Sequence, residues 1–240
     1  MRLSHSSVAK YTSCGYKWHL YYQKKLRDPS KSSALHFGDS LDKAVNAMLL
    51  DHKSKALKPL ELYLALFDSN FETIQLSGNK DRVAAEDNVA IQYYSSDFDA
   101  DLLFGEDLTK IAKKFNKEDV LSEFKKLRSI DKHIEFDLSL DNKSFMASVY
   151  WHVLRNKARL IISKYYEDII PKIKDVLEVQ TKVELSDGHG GEIVGYVDAI
   201  LDLGNGPIVC DLKTASKEYE QDSASNSQQL ALYVHSLKDR

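Results

Sequence analysis

The hydrophobic pattern of the chain changes period at Pro171, and that change limits the folds open to it. Before this point apolar residues recur at three- and four-residue spacing. Leu41, Ala44, Val45 and Met48 predict a helix over about 37–51. Leu60, Leu64 and Phe67 mark the face of another, Leu102, Leu103, Ile111 and Phe115 belong to others, and Val120, Leu121, Phe124 and Leu127 mark one more. A long helix is expected over 143–170, ending before Pro171. Ser4, Ser6 and Ser7 offer N-caps for a short first helix to about Ser13, interrupted at Cys14-Gly15 and resumed from Tyr16. After Pro171, residues 176–185, 192–203 and 208–214 read as strands, separated by the glycine-rich segments 187–191 and 204–207. A polar loop over 216–227 then leads to a helix over 227–237. Helices followed by β-β-β-α make an α/β or α+β core with a helical superstructure in front.

At 240 residues the chain can bury about two-thirds of its unfolded surface and needs no staples. With 43% apolar and 29% charged residues it is globular in composition, not disordered. No apolar run approaches the roughly 18 residues of a membrane span, and the first residues lack a signal-peptide core. Two cysteines, Cys14 and Cys210, are too few for a disulfide scaffold or a four-thiolate cluster. A cytosolic protein is expected. The net charge of −3 is unevenly spread: residues 1–31 carry seven basic groups and one acidic, a local +6, which leaves −9 for the rest. Lys10 and Lys17 in this arm alternate with Tyr11, Tyr16, Trp18, Tyr21 and Tyr22. Such a pattern suits either contact with a phosphate backbone or a helix with a solvated basic face and an aromatic core face.

The chemistry concentrates in two pieces: Gly195-Tyr196-Val197-Asp198 in the second strand and Asp211-Leu212-Lys213-Thr214 at the end of the third. Residues two apart on a strand share a face, so Asp211 and Lys213 are expected on one side. A turn at Gly204-Asn205 sets Asp198 opposite Asp211; a turn at Asn205-Gly206 sets it opposite Lys213. Both registers gather the three groups, whereas a three-residue loop without a bulge does not. Two carboxylates and an amine on one sheet face call for a divalent cation, and oxygen ligands favour Mg²⁺ or Mn²⁺. The reaction class that follows is phosphodiester hydrolysis, with Lys213 serving the attacking water or the developing charge. The Asp/Glu-x-Lys pattern is weak by itself, since it recurs at Asp51–Lys53, Glu123–Lys125 and Asp141–Lys143. Only the copy at 211–213 ends an apolar strand and follows a strand with its own aspartate. A surface hairpin held by a Lys–Asp ion pair is the plain alternative.

These pieces resemble the RecB-type branch of the PD-(D/E)XK nucleases, which includes phage recombination exonucleases. Gly195 to Asp198 is similar to that family's Gly-x-x-Asp, Asp211 to Thr214 to its Asp-x-Lys-Thr, and Gln229 to Tyr233 to its Gln-x-x-x-Tyr. Residues four apart on a helix share a face, so Gln229 and Tyr233 can both look into one cleft. The serine-rich opening and the aromatic stretch after Cys14 also resemble the family, with Gly15 where it has proline. The resemblance covers residues 1–50 and 176–237. It implies a restriction-endonuclease-like α/β (α+β) core, a central mixed sheet flanked by helices, with a large helical amino-terminal region. It implies one nuclease domain over 1–240, with core helices in 1–58, a helical insertion at 59–135 and a catalytic part at 143–240.

By the same resemblance Asp198, Asp211 and the Leu212 carbonyl hold Mg²⁺ or Mn²⁺, Lys213 acts in catalysis, and Gln229 and Tyr233 position Lys213 or the DNA. Lys10 and Lys17 would contact linear ends or single strands of DNA. The family's Gly-x-x-x-His is answered here by Gly38 and Asp42, so Asp42 is the candidate third ligand; His36 lies on another helix face. Cys14 stands where some relatives have the first of four cluster cysteines, but the late three are missing and no iron–sulfur cluster is expected. The resemblance implies a further strand after the last helix, where the sequence reaches Arg240. The stretch 59–131 is open to three roles: a roof over the DNA channel, a surface for a partner such as a helicase or annealing protein, or self-association. A catalytically silent nuclease-fold protein that binds nucleic acid or scaffolds a recombination complex is the alternative, motivated by Asp42 and the negative net charge.

Overall fold

A computed structural model of the chain describes residues 2–26, 33–76, 116–127, 133–140, 142–186, 191–214, 220 and 222–238. The helical signals at Leu102, Leu103, Ile111 and Phe115 lie outside the described residues. The chain folds as two compact units, Met1–Asp28 with Asn46–Lys58 and Glu167–Arg240, and Pro29–Val45 with Pro59–Tyr166.

The first unit holds the sheet. Its opening strand, β1 (Arg2–Leu3), leads into α1 (His5–Ser13), where Ser4 caps the helix by accepting from the Ser7 N–H at 3.1 Å. Cys14 breaks the helix with extended dihedrals, and α2 (Gly15–Trp18) continues into a π-helical turn over His19–Gln23. After a 3₁₀ turn at Ile170–Lys172 come β2 (Asp175–Ser186), β3 (Glu192–Asp202) and β4 (Pro207–Cys210). The β2 and β3 strands match the sequence reading to within a residue or two. A final helix, Gln228–Ser236, starts at the Ser227 cap, as the sequence suggests.

Strand β3 is the axis of the sheet. It pairs antiparallel with β2 along its whole length, from Asp175 opposite Asp202 to Ser186 opposite Glu192. A strand has two edges, so β1 and β4 share the other one: β1 runs parallel at Glu192 and Ile193, and β4 antiparallel at Ala199 to Asp202. Between them, residues 194–198 have no strand partner on that edge among the described residues. The β3–β4 connection is the four-residue loop 203–206. Its register, Ala199 opposite Cys210, is the one that sets Asp198 against Asp211. The Asp202 carboxylate fixes the loop by accepting from the N–H groups of Gly204 at 2.6 Å and Gly206 at 3.2 Å. Both glycines have φ near +100°, where a side chain would strain the backbone. The final helix covers one sheet face, with Tyr233 buried among Val183, Val197 and Ile200.

The second unit contains most of the helix Ser33–Lys53 together with Leu60–Leu76, Lys117–Lys126 and Asn142–Lys164, which we label α3, α4, α5 and α6; the last helix of the chain is α7. The α5–α6 core is Val120, Phe124, Phe145, Val149 and Val153, with Phe136 set edge-on to Phe124 at 5.0 Å. Elsewhere the Phe71 ring stacks with His36 at 5.0 Å and with Trp151 at 5.4 Å. Asp68 on α4 ties to α6 through a two-point contact with Arg155 (2.8 and 2.9 Å) and a further bond from Arg159. His36 is a buried core residue that bonds the Phe71 carbonyl at 2.9 Å.

Candidate active site

The third strand ends four residues earlier than its sequence suggests. It stops at Cys210, and Asp211 to Thr214 leave the ladder. A side chain outcompetes the sheet here: the Leu212 N–H, a possible next rung, donates to the Asp198 carboxylate at 2.7 Å. The chain leaves the sheet held by that carboxylate.

Six of the expected residues meet here: Asp198, Asp211, Leu212, Lys213, Gln229 and Tyr233. Lys213 Nζ reaches both oxygens of Asp211, at 2.9 and 2.8 Å, although neither residue is on a strand. The Gln229 amide donates to Asp211 at 3.2 Å and is bonded to the Tyr233 hydroxyl at 2.7 Å. On the far side Gln180 of β2 donates to Asp198 at 3.3 Å. The result is a continuous polar chain from Gln180 through Asp198 to the Leu212 main chain, and from Lys213 and Asp211 through Gln229 to Tyr233. The Asp211 side chain is only 8% exposed, so its charge is answered by Lys213 and Gln229 more than by water.

Burial pushes the Asp198 carboxyl above its ordinary range. The Leu212 N–H opposes this, and the neighbouring charge of Asp211 adds to it. Burial by itself would pull Lys213 down, but its bond to Asp211 and the charges of Asp211 and Asp198 together raise it, so it is a firm cation. Burial, then Asp198, also raises the Cys210 thiol, which keeps it protonated.

Gln180 is a site residue that the sequence does not single out. It sits opposite Asp198 in the β2–β3 register and has φ +52° inside a strand, beside a register shift between Val176 and Glu178. A non-glycine residue there costs about 1–3 kcal/mol, and such strain collects at functional sites. Glutamine carries no sequence signal for that conformation.

Gly195 faces the same polar chain from beneath. A Cβ at this position would lie 2.6 Å from Tyr233 Cε1, so the absent side chain is what lets Tyr233 seat against β3 and reach Gln229. This gives the Gly-x-x-Asp spacing a local steric reason. Lys10 is packed over the Tyr21 ring at 3.4 Å, whereas Lys17, Tyr11 and Tyr16 are exposed. The aromatic residues of this arm therefore do not form a core face. They contact one another: Tyr11 is edge-on to Trp18 at 5.5 Å, and Trp18 donates to Ser7 at 2.7 Å.

Asp42 is a half-buried residue of α3 in the second unit. No group of three or more His, Cys, Asp or Glu side chains that could hold a metal occurs among the described residues. The two carboxylates of the first unit, with the Leu212 carbonyl, offer oxygen donors alone, the set hard divalent cations take. The charge of Asp211 that raises Asp198 is a repulsion such a cation relieves. The residues present fit Mg²⁺ or Mn²⁺.

A mixed sheet with a helix on one face makes an α+β restriction-endonuclease-like fold, and its candidate site joins two aspartates and a lysine. The family model of the PD-(D/E)XK nuclease superfamily matches residues 2–240, and the chain belongs to that superfamily. Nuclease activity on a nucleic acid and use of divalent metals such as Mg²⁺ or Mn²⁺ are general to it. No curated protein sequence and no solved structure matches the chain. No helix among the described residues is long and apolar enough to cross a membrane.

Proposed function

We propose that the chain is a divalent-metal-dependent deoxyribonuclease of the RecB-like, phage-exonuclease type, removing nucleotides from DNA ends in recombination, repair or phage DNA processing. The observation that carries this reading is the convergence of Asp198, Asp211, Lys213 and Gln229 where β4 leaves β3. Asp198, Asp211 and the Leu212 carbonyl would hold the ion. When bound, the ion acidifies a water and offsets charge on the phosphoryl oxygens. Lys213, kept protonated by Asp211, orients the attacking water and answers the charge that develops on the phosphate. Gln229 fixes Asp211, and Tyr233 fixes Gln229. Lys10 and Lys17, with the exposed rings of Tyr11 and Tyr16, support a single strand by phosphate contact and stacking.

The test is digestion of linear and covalently closed circular DNA in Mn²⁺. Linear DNA is degraded, the circle is spared, and Asp211→Ala abolishes cleavage. Wild-type cleavage by that variant refutes the site, and loss of the circle refutes end-dependence.

One observation favours a silent nucleic-acid-binding module instead: Lys213 already occupies both oxygens of Asp211. Calorimetry separates the two readings. A module without turnover takes up no Mn²⁺ at millimolar concentration and still binds DNA in EDTA.

A further inference from the structure

Beside the polar chain, along the stretch of β3 that neither β1 nor β4 covers, lies a cavity of ≈ 700 Å³. Its size falls within the roughly 300–1,000 Å³ typical of small-molecule sites. Lys213 and Gln229 form one side of it, so it opens directly off the proposed reaction centre. Among the described residues its lining contains Lys182, Lys213 and His5, and no aspartate or glutamate. The acids that neutralise the two lysines, Glu184 and Asp211, are outside the lining. The wall turned to the cavity is therefore a donor surface suited to an anion.

The same wall carries two aromatic rings. Tyr196 is paired across the strands with Lys182 and is 55% exposed, and Tyr22 closes another side. A cation next to an exposed ring, repeated along a groove, is the pairing that a nucleotide needs: phosphate on the ammonium and base on the π face. The volume suits one nucleotide and not a duplex.

We propose that this cavity is a subsite for a single nucleotide of the substrate strand, adjoining the scissile phosphate, with its phosphate on Lys182 and its base on Tyr196. The proposal rests on the nuclease reading above and deepens it by naming what the strand presents. The shared chemistry is a phosphate followed by a base. The phosphate comes either from a terminal 5′ phosphate or from the next phosphodiester.

The experiment measures binding of a short fluorescent single-stranded oligonucleotide to the full chain in EDTA across a salt series, with Mn²⁺-dependent cleavage of linear DNA followed in parallel. Lys182→Met reduces the slope of log K against log salt by about 0.7, the loss of one single-strand phosphate contact. Lys182→Arg restores it. Tyr196→Ala weakens binding about tenfold, within the range for one lost base stack. Lys182 and Tyr196 are both well exposed, so neither change threatens folding. Repeating the series without the 5′ phosphate separates the sources: a terminal phosphate is the ligand if the Lys182 effect disappears with it, an internal one if the effect persists. If both variants bind as wild type does while wild type cleaves, the subsite is overturned and the nuclease stands. If wild type does not cleave but Lys182→Met still loses the contact, the nuclease reading fails and the cavity stands as a nucleotide-binding site without a scissile phosphate.

Discussion

Adding one methyl group at Gly195 tests how the polar chain is supported. An alanine Cβ would stand 2.6 Å from Tyr233 Cε1 and 3.4 Å from Tyr233 Cζ and Oη. Carbon atoms rest at about 3.5–4.0 Å, so the ring must retreat by about 1 Å. It has little room to do so, because it is packed on Val183, Val197 and Ile200 and is 6% exposed. Overpacking of this kind costs about 1–3 kcal/mol. Against it stands a gain of about 0.4–1 kcal/mol from the less flexible unfolded chain, available because Gly195 does not have a positive φ. The clash wins, and Gly195→Ala is expected to destabilise the first unit by about 1–2 kcal/mol. A ring shift of about 1 Å also suffices to carry the 2.7 Å Gln229–Tyr233 bond past hydrogen-bonding range. Urea unfolding of a Trp151→Phe background, followed by Trp18 alone, reads the first unit. The same substitution in a Tyr233→Val background is expected to cost nothing. An equal loss in both backgrounds would show that Tyr233 is not the obstacle, and the reasoning would fall.

Three further outcomes follow from the same geometry. Asp198 has a raised proton affinity in the folded chain, so the native state binds more protons than the unfolded one between the two pKa values, and ionised Asp198 costs stability above the higher of them. Metal-free Asp198→Asn is therefore more stable than wild type at neutral pH, with a margin that shrinks as pH falls through the raised value; thermal unfolding at several pH values checks this, and a growing margin contradicts it. Gln180→Ala keeps the strained backbone but removes the bond to Asp198, and is expected to lower Mn²⁺ affinity about tenfold by calorimetry, as loss of a ligand's supporting bond does. Unchanged affinity would make Gln180 a bystander. In the second unit Asp68→Asn leaves Arg155 and Arg159 without their acceptor charge and should cost about 1–3 kcal/mol, read by Trp151 fluorescence in urea.

The sheet is legible where the chain alternates apolar and polar residues between turn-forming segments, and illegible where another force decides. Arg2–Leu3 is too short to show a period, so β1 leaves no trace in the pattern. The apolar run from Ile208 suggests a longer β4, but a carboxylate on the neighbouring strand takes the Leu212 N–H, and no propensity scale contains that competition. Both two-residue turns compatible with the sequence gather the same acids. The register is decided by the Asp202 side chain closing a four-residue loop. The motif residues can be read because their spacing is local. Gln180 cannot, because its importance comes from what lies across the strand and from a backbone angle unusual for its type.

Hanging the end of β4 on the Asp198 side chain has a mechanical result. Main-chain rungs do not respond to protons or ions near neutral pH, but a carboxylate tether does. Whatever draws on that oxygen, whether a proton or an arriving ligand, loosens the anchor of the segment bearing Asp211 and Lys213. Occupancy of one acid and the placement of its two neighbours are thus a single adjustable joint.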